Sequence, residues 1–151
     1  MKKIIITLFG ILFFALGAHA QKYCVIDSKY ILEKLPEYTN AQKQLDEYFA
    51  GKRTQFSVPF QLQGTSFQKK VYQALLKIPY GKTQSYADIA RIIGHDRAYR
   101  AVGSANHVNR LPIIIPCHRV IGSKGKLVGF RGGLEIKSWI LAHEQQHKKN
   151  F

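Results

Sequence analysis

Cysteine is scarce in this sequence, and that scarcity limits its chemistry. Its 151 residues include two cysteines, Cys24 and Cys117, so at most one intramolecular disulfide can form. Neither a disulfide framework nor a four-cysteine zinc site can be built from them. A bond between Cys24 and Cys117 is compatible with the sequence and would consume both thiols. The length suffices for one ordinary domain with an appendage, but not for two full-sized cores.

Acidic residues are also few, with 9 Asp and Glu against 23 Lys and Arg, which gives a formal net charge of +14. Such a surplus favours a polyanionic partner, and nucleic acid is one. Attraction to anionic lipid and a merely soluble basic surface account for the charge as well. Charge alone therefore leaves three interpretations open.

The N-terminus lacks an apolar run of full membrane-spanning length. The run Ile4 to Leu16 follows Lys2-Lys3 and precedes Ala18-His19-Ala20, which has the small-x-small form of a signal-peptidase site. Residues 1–20 are therefore predicted to be a secretory signal peptide. An uncleaved membrane anchor is the alternative.

The segment that follows resembles a second kind of protein. The segment is similar to the mature N-terminus of periplasmic Skp-type chaperones. The residues that carry this similarity are Val25-Ile26-Asp27, Tyr30-Ile31-Leu32 and Leu35-Pro36-Glu37-Tyr38. The sustained heptads of that family do not follow, so no chaperone activity is implied. We assign residues 21–55 to this chaperone-like segment and a polar linker.

Capping residues and apolar spacing predict helices in the rest of the chain. Residues 44–51 have the pattern of a helix end closed by Gly51. Another helix is predicted over 65–78, and a third begins at Ser85, with Asp88 in the position of a capping box, and ends at Gly94.

The third of these helices and the next, near 98–108, outline a helix-turn-helix. Its second helix would present Tyr99, Arg100 and Ser104 to DNA. An ordinary helical hairpin is the alternative. Together with the elements that follow, this pair predicts a mainly α, winged helix-turn-helix-like domain over 56–146, followed by a basic tail at 147–151.

The C-terminal third supplies the remaining elements of this fold. Leu111 to Ile115 is predicted to be a buried strand because it is short, apolar and rich in β-branched residues. Glycines across Val120 to Phe130 predict a short β hairpin or wing. Leu134 to Glu144 is predicted to be a closing helix with Trp139 and Ile140 toward the core.

The chemistry of the chain is concentrated at Pro116-Cys117-His118-Arg119-Val120. A base near a thiol lowers its pKa, and the thiolate is the nucleophilic form. A bare Cys-His pair is weak evidence, because most lone cysteines are small buried hydrophobes and most lone histidines are structural. Whether Cys117 and His118 are catalytic therefore has to be judged from the residues around them.

Those residues closely resemble the signature of the O6-alkylguanine-DNA alkyltransferases, also called methylated-DNA-protein-cysteine methyltransferases. The resemblance covers about 44–144 and includes Gly64-Thr65-Ser66-Phe67-Gln68, Ile78-Pro79-Tyr80-Gly81-Lys82-Thr83, Ser85-Tyr86, Arg100-Ala101-Val102-Gly103, Asn106 to Asn109, Gly132-Gly133-Leu134 and Leu141-Ala142-His143-Glu144. It implies stoichiometric alkyl transfer from O6-alkylguanine, and from O4-alkylthymine, in double-stranded DNA to an internal cysteine. It implies no diffusible cofactor and no metal, and we expect a monomer.

By this resemblance Cys117 is the alkyl acceptor. His118 removes its proton through a water, and Glu144 orients the imidazole, which is the logic of a catalytic triad with cysteine as nucleophile. Asn109 braces the active-site turn. Without the resemblance, Glu144 is a solvated carboxylate near a helix end and Asn109 a plain loop residue.

The resemblance also implies the substrate-binding residues. Tyr86 donates its hydroxyl to the extruded guanine, Arg100 fills the place of the flipped nucleotide, and the backbone carbonyl of Val120 lines the guanine pocket. Phe130 and Arg131 stand where some relatives have tyrosine and serine, so a backbone amide would have to replace a side-chain hydroxyl there. A core tyrosine and a phosphate contact are the plainer interpretations of Tyr86 and Arg100.

Three other functions fit the sequence less well. A cysteine hydrolase would need an oxyanion motif, and none is evident. A lesion sensor without transfer activity would replace the nucleophile, whereas Cys117 is intact. A secreted interaction protein would not keep the complete motif.

We expect the cytoplasm to be the site of action, because DNA repair belongs with the chromosome. Export to the periplasm through residues 1–20 is the alternative.

Overall fold

The computed structural model describes residues 32–148. From Leu35 onward the chain forms one compact unit. Its elements, in chain order, are α1 (Pro36–Phe49), α2 (Ser66–Leu75), β1 (Gln84–Ser85), α3 (Tyr86–Ile92), α4 (Tyr99–His107), β2 (Val120–Ile121) and α5 (Leu134–His147), with 3-10 turns at Cys117–Arg119 and Ser123–Gly125. A search of the described helices finds none with the length and apolar character needed to cross a membrane.

Several predictions from the N-terminal sequence fall outside the described residues. These are the signal-like segment 1–20, the first part (21–31) of the chaperone-like segment 21–55, and the pairing of Cys24 with Cys117. The last three residues of the basic tail 147–151 lie outside as well. All of them, and the boundary at 55/56, stay predictions.

Two capping boxes start α2 and α3. Thr65 Oγ1 accepts from the Gln68 amide at 3.2 Å, and Gln68 Oε1 accepts in return from the Thr65 amide at 2.9 Å. Ser85 and Asp88 form the same reciprocal pair, at 3.1 and 3.0 Å. Each box satisfies amides that a helix start leaves unpaired and is worth ~1 kcal/mol. The predicted starts of both helices are confirmed.

The core lies where α2, α3 and α4 meet the turn that precedes β2. Its buried apolar members include Val71, Leu75, Ile78, Ile89, Ala90, Val102, Ala105, Ile115 and Val120. Gly94, at φ +76°, lets the chain reverse between α3 and α4 with the backbone in the left-handed region. The mainly helical fold and the helix-turn-helix pair are confirmed.

The β-structure differs from the predicted hairpin over Val120 to Phe130. β1 and β2 pair in parallel, with Gln84 opposite Val120 and Ser85 opposite Ile121. A hairpin ladder would need backbone carbonyls that Lys137 instead occupies: its Nζ donates to Val120 at 2.6 Å and to Val128 at 2.7 Å. Within the loop the backbone closes only a turn, with the Gly122 amide donating to the Lys126 carbonyl at 2.8 Å.

Two further expectations are corrected. Residues 111–115 form a turn, not a strand, because the Ile115 amide donates back to the Leu111 carbonyl at 2.8 Å and Ile113 has φ 74°. Trp139 is 55 % exposed rather than in the core, although Ile140 is buried as expected. The buried face of α5 runs through Lys137, Ile140 and Glu144, so Trp139 lies beside this face.

Candidate active site

Cys117 opens the 3-10 turn Cys117–Arg119 and is only 5 % exposed. Its amide donates to the Ile115 carbonyl at 2.7 Å, which fixes the turn. Asn109 Nδ2 donates to the same carbonyl at 3.0 Å and to Cys117 Sγ at 3.3 Å, and Asn109 Oδ1 accepts from the Leu111 amide at 3.0 Å. Asn109 thus makes the contacts of a brace for the turn around the nucleophile.

His118 and Glu144 are both fully buried and bonded to each other, with 3.1 Å between His118 Nε2 and Glu144 Oε1. An ionised carboxylate can only accept, so Nε2 carries the proton and Nδ1 of a neutral imidazole keeps its lone pair. Within residues 32–148, His118 Nδ1 has no hydrogen-bond partner. This nitrogen is therefore free to take a proton.

Glu144 is held from several sides. Arg119 donates to Oε1 through Nη2 at 2.7 Å and to Oε2 through Nε at 3.0 Å. The Gly81 amide donates to Oε2 at 2.9 Å and the Tyr48 hydroxyl to Oε1 at 2.7 Å. Burial raises the pKa of Glu144, but the bonds from His118 and Arg119 outweigh it and set the pKa to about 2. The carboxylate is thus anionic at neutral pH.

Burial also determines the protonation states of Cys117 and His118 before substrate binds. It raises the pKa of the Cys117 thiol, against the lowering effects of the Asn109 hydrogen bond and the Lys137 charge. It lowers the pKa of His118, against the raising effect of Glu144. Without substrate the pair is therefore a neutral thiol beside a neutral imidazole.

Sequence reasoning missed Lys137. It is fully buried, and its Nζ donates to three backbone carbonyls, including Gly129 at 3.3 Å. Burial lowers the pKa of Lys137 to about 8, opposed by the nearby Cys117. Helical spacing could have predicted that Lys137 is buried. It lies three residues before Ile140 and seven before Glu144, which places it on the same buried face of α5.

A groove of about 1320 Å³ opens beside α4. Six of the sequence-predicted site residues line it: Cys117, Asn109, Tyr86, Arg100, Phe130 and Arg131. The Tyr86 hydroxyl is placed to donate to the Val128 and Gly129 carbonyls, at 3.3 Å each. The structure therefore brings the thiol together with five of the residues expected around it.

The other three predicted residues do not line this groove. His118 and Glu144 are buried and bonded to each other, and their roles as base and orienting carboxylate stay predictions. The Val120 carbonyl accepts from Lys137, so the expected contact of this carbonyl with guanine stays a prediction. In the described part of the chain, no group of three or more His, Cys, Asp or Glu side chains is arranged to hold a metal ion.

The fold and the site define a class of protein: a helix-turn-helix domain with a free cysteine in the groove beside its second helix. Residues 66–146 match the family model described as 6-O-methylguanine DNA methyltransferase, DNA binding domain. The chain belongs to this family.

Relatives and solved structures agree with this assignment. The constitutive methylated-DNA–protein-cysteine methyltransferase of Bacillus subtilis is 52% identical over 114 residues, which cover 75% of this chain and 69% of the relative. The Methanosarcina barkeri enzyme of the same name is 50% identical, with 77% and 73% covered. A crystal structure of Mycobacterium tuberculosis OGT in complex with DNA superposes with a TM-score of 0.72 at 51% identity, covering 73% of this chain and 68% of that one. The resemblance of residues 23–46 to Skp-type chaperones gains no support from these matches.

Proposed function

We propose that this protein repairs DNA by transferring a methyl or larger alkyl group from guanine O6 to Cys117, once per molecule. The observation that carries the proposal is Cys117 itself, which lines a groove beside α4 and is followed in the chain by His118, whose imidazole bonds to Glu144. Family membership supplies the substrate: the relatives are named for methylated DNA and for the cysteine that accepts the methyl group.

The transfer balances without a cofactor. The Cys117 proton passes through a water to His118 Nδ1, and the imidazolium is stabilised by the Glu144 carboxylate. The thiolate attacks the alkyl carbon, an S–C bond forms, and the C–O6 bond breaks. The released electron pair returns guanine to its keto form as the ring takes up one proton. The thioether that forms is not hydrolysed at neutral pH, because water is a weak nucleophile and a thiolate a poor leaving group, so the step is irreversible.

The groove makes base extrusion necessary. Cys117 is 5 % exposed, and the O6 atom of a stacked guanine cannot reach a thiol at this depth. Arg100, exposed on α4 at the rim of the groove, is placed to occupy the gap in the base stack. Tyr86 is placed to turn its hydroxyl from the loop carbonyls to the incoming base, and the Phe130-Arg131 loop meets the opposite edge.

Transfer of this kind belongs where the chromosome is, so the proposed site of action is the cytoplasm. One chain carries the whole reaction, so the proposed working unit is a monomer. Residues 1–20 point to export instead. An oxidising compartment would expose Cys117 to oxidation or to pairing with Cys24. Repair and export are therefore incompatible uses of one molecule.

Duplex DNA carrying labelled O6-methylguanine tests the proposal. The label should appear on the peptide containing Cys117, and the yield should stop at one methyl per protein. Cys117→Ala should bind the damaged duplex and transfer nothing. Turnover beyond one equivalent contradicts the stoichiometric mechanism, and binding without any transfer by the wild type would make the protein a lesion sensor.

A further inference from the structure

Tyr48, near the end of α1, is a fully buried residue that reaches the candidate active site. Its hydroxyl donates to Glu144 Oε1 at 2.7 Å, and its carbonyl accepts from His143 Nε2 at 2.9 Å. The hydroxyl and the backbone carbonyl of Tyr48 are thus bonded to two consecutive residues of α5, Glu144 and His143. Its ring contacts Phe56 and Tyr80, with centroids 5.5 and 5.9 Å away.

The oxygen that Tyr48 binds is the one that faces His118. Glu144 Oε1 accepts from the Tyr48 hydroxyl, from His118 Nε2 at 3.1 Å and from Arg119 Nη2 at 2.7 Å. Three donors compete for one oxygen, so the loss of any donor changes how much negative charge the other two experience. Arg119 is cationic and His118 becomes cationic when it takes up a proton, whereas Tyr48 stays neutral. Tyr48 also comes from a separate helix, α1.

We propose that Tyr48 is a positioning residue for the transfer reaction, whose hydroxyl holds Glu144 Oε1 opposite His118 and moderates the charge that His118 experiences. The inference rests on the proposed function and extends the working site to α1. This helix lies outside residues 66–146, the part that matches the family model.

The direction of the effect follows from the charges. Burial, followed by the Glu144 charge, raises the pKa of Tyr48, so the phenol stays a neutral donor. Without that donor, Glu144 Oε1 presents more negative charge to His118 and stabilises its protonated form, which raises the pKa of His118. Other charged and titratable groups lie around His118 and Glu144. They are Lys137 from α5, Arg119 and Cys117 from the 3-10 turn, Tyr80 from the turn after α2, and Tyr48 from α1.

The test compares Tyr48→Phe with Tyr72→Phe. Phenylalanine keeps the ring and removes only the hydroxyl. Tyr72 is a matched control for the Glu144 contact, because it is also buried and its hydroxyl donates at 3.0 Å to the Ala105 carbonyl rather than to Glu144. The readouts are the pH profile of single-turnover methyl transfer to Cys117 and the titration of His118 followed by NMR without DNA.

In Tyr48→Phe, the acidic limb of the rate profile and the His118 titration should both move up by roughly half to one pH unit, the size expected for one hydrogen bond to a charged group. Tyr72→Phe should lose stability with neither midpoint moved. A structural role for Tyr48 would lower stability and leave both midpoints in place, and that result overturns the inference.

A second variant keeps the test decisive if Tyr48→Phe does not fold. Replacing Tyr48 with 3,5-difluorotyrosine keeps the ring and hydroxyl but strengthens the donor, so both midpoints should move down. A shift upward, or none, contradicts the inference. Absence of methyl transfer by the wild type would instead contradict the proposed function, while the His118 titration would still judge the role of Tyr48.

Discussion

At the scale of single residues, Glu144 links the stability of the protein to pH. Its pKa of about 2 in the folded state lies below the ordinary value of 4.5, so its contribution is complete above about pH 5 and is lost as the pH falls toward 2. The difference corresponds to stabilisation on the order of 3 kcal/mol.

Urea unfolding at pH 7, 5 and 3 measures this contribution. The comparison is the double variant Glu144→Gln/Arg119→Met, which leaves no unpaired buried charge. The unfolding free energies of wild type and double variant should converge between pH 5 and 3. A constant difference across that range would show that Glu144 is not the group responsible.

Lys137 acts on two parts of the site. Its charge lowers the pKa of the Cys117 thiol, and its hydrogen bonds hold the carbonyls of Val128 and Gly129 in the loop before α5. Lys137→Met keeps the length of the side chain but removes a charge that lowers the pKa of Cys117. We expect the thiol pKa to rise by about one unit or less and transfer at neutral pH to slow accordingly. The pH dependence of iodoacetamide labelling of Cys117 reports the pKa.

Lys126→Met is the control, since Lys126 is an exposed lysine of the same loop. It should change neither labelling nor transfer. Equal effects of the two variants would point to the overall charge of the protein rather than to the buried ammonium.

At the scale of elements, the helix-turn-helix places Arg100 at the rim of the groove. Arg100→Ala should weaken transfer from lesions in duplex DNA more than from lesions in single strands, where no gap in a base stack has to be filled. Arg97→Ala, in the turn between α3 and α4, should weaken both substrates alike if it contacts phosphate. Equal losses for Arg100→Ala would make it a phosphate contact as well.

The elements also show where sequence reasoning succeeds and where it stops. Helix starts were predictable because a capping box is a local pattern, as Thr65 and Ser85 illustrate. The parallel pairing of β1 with β2 was not, because it joins Gln84 to Val120, 36 positions further along the chain, and no local pattern specifies such a partner. In the site, the motif identified Cys117 and the residues behind it, whereas Tyr48 emerges only from a contact between residues 96 positions apart.

At the scale of the whole molecule, the boundary predicted at 55/56 can be tested by truncation. A fragment of residues 35–148 keeps α1 and should fold and transfer methyl groups like the full chain. A fragment of residues 56–148 loses Tyr48 and its bond to Glu144, so it should unfold at lower urea concentration. Equal stability of the two fragments would support the boundary and remove α1 from the folding unit.

The tight turn around Cys117 has a consequence for the life of the molecule after it has acted. Asn109 Nδ2 lies 3.3 Å from Sγ in a buried site, and an added methyl group has to be accommodated there. The groove that Cys117 lines offers this space. A spent molecule thus differs from an unused one at the groove that faces DNA, where a thioether replaces the thiol. Each spent molecule corresponds to one repaired guanine, so the fraction of the protein that carries a thioether records how many lesions a cell has repaired.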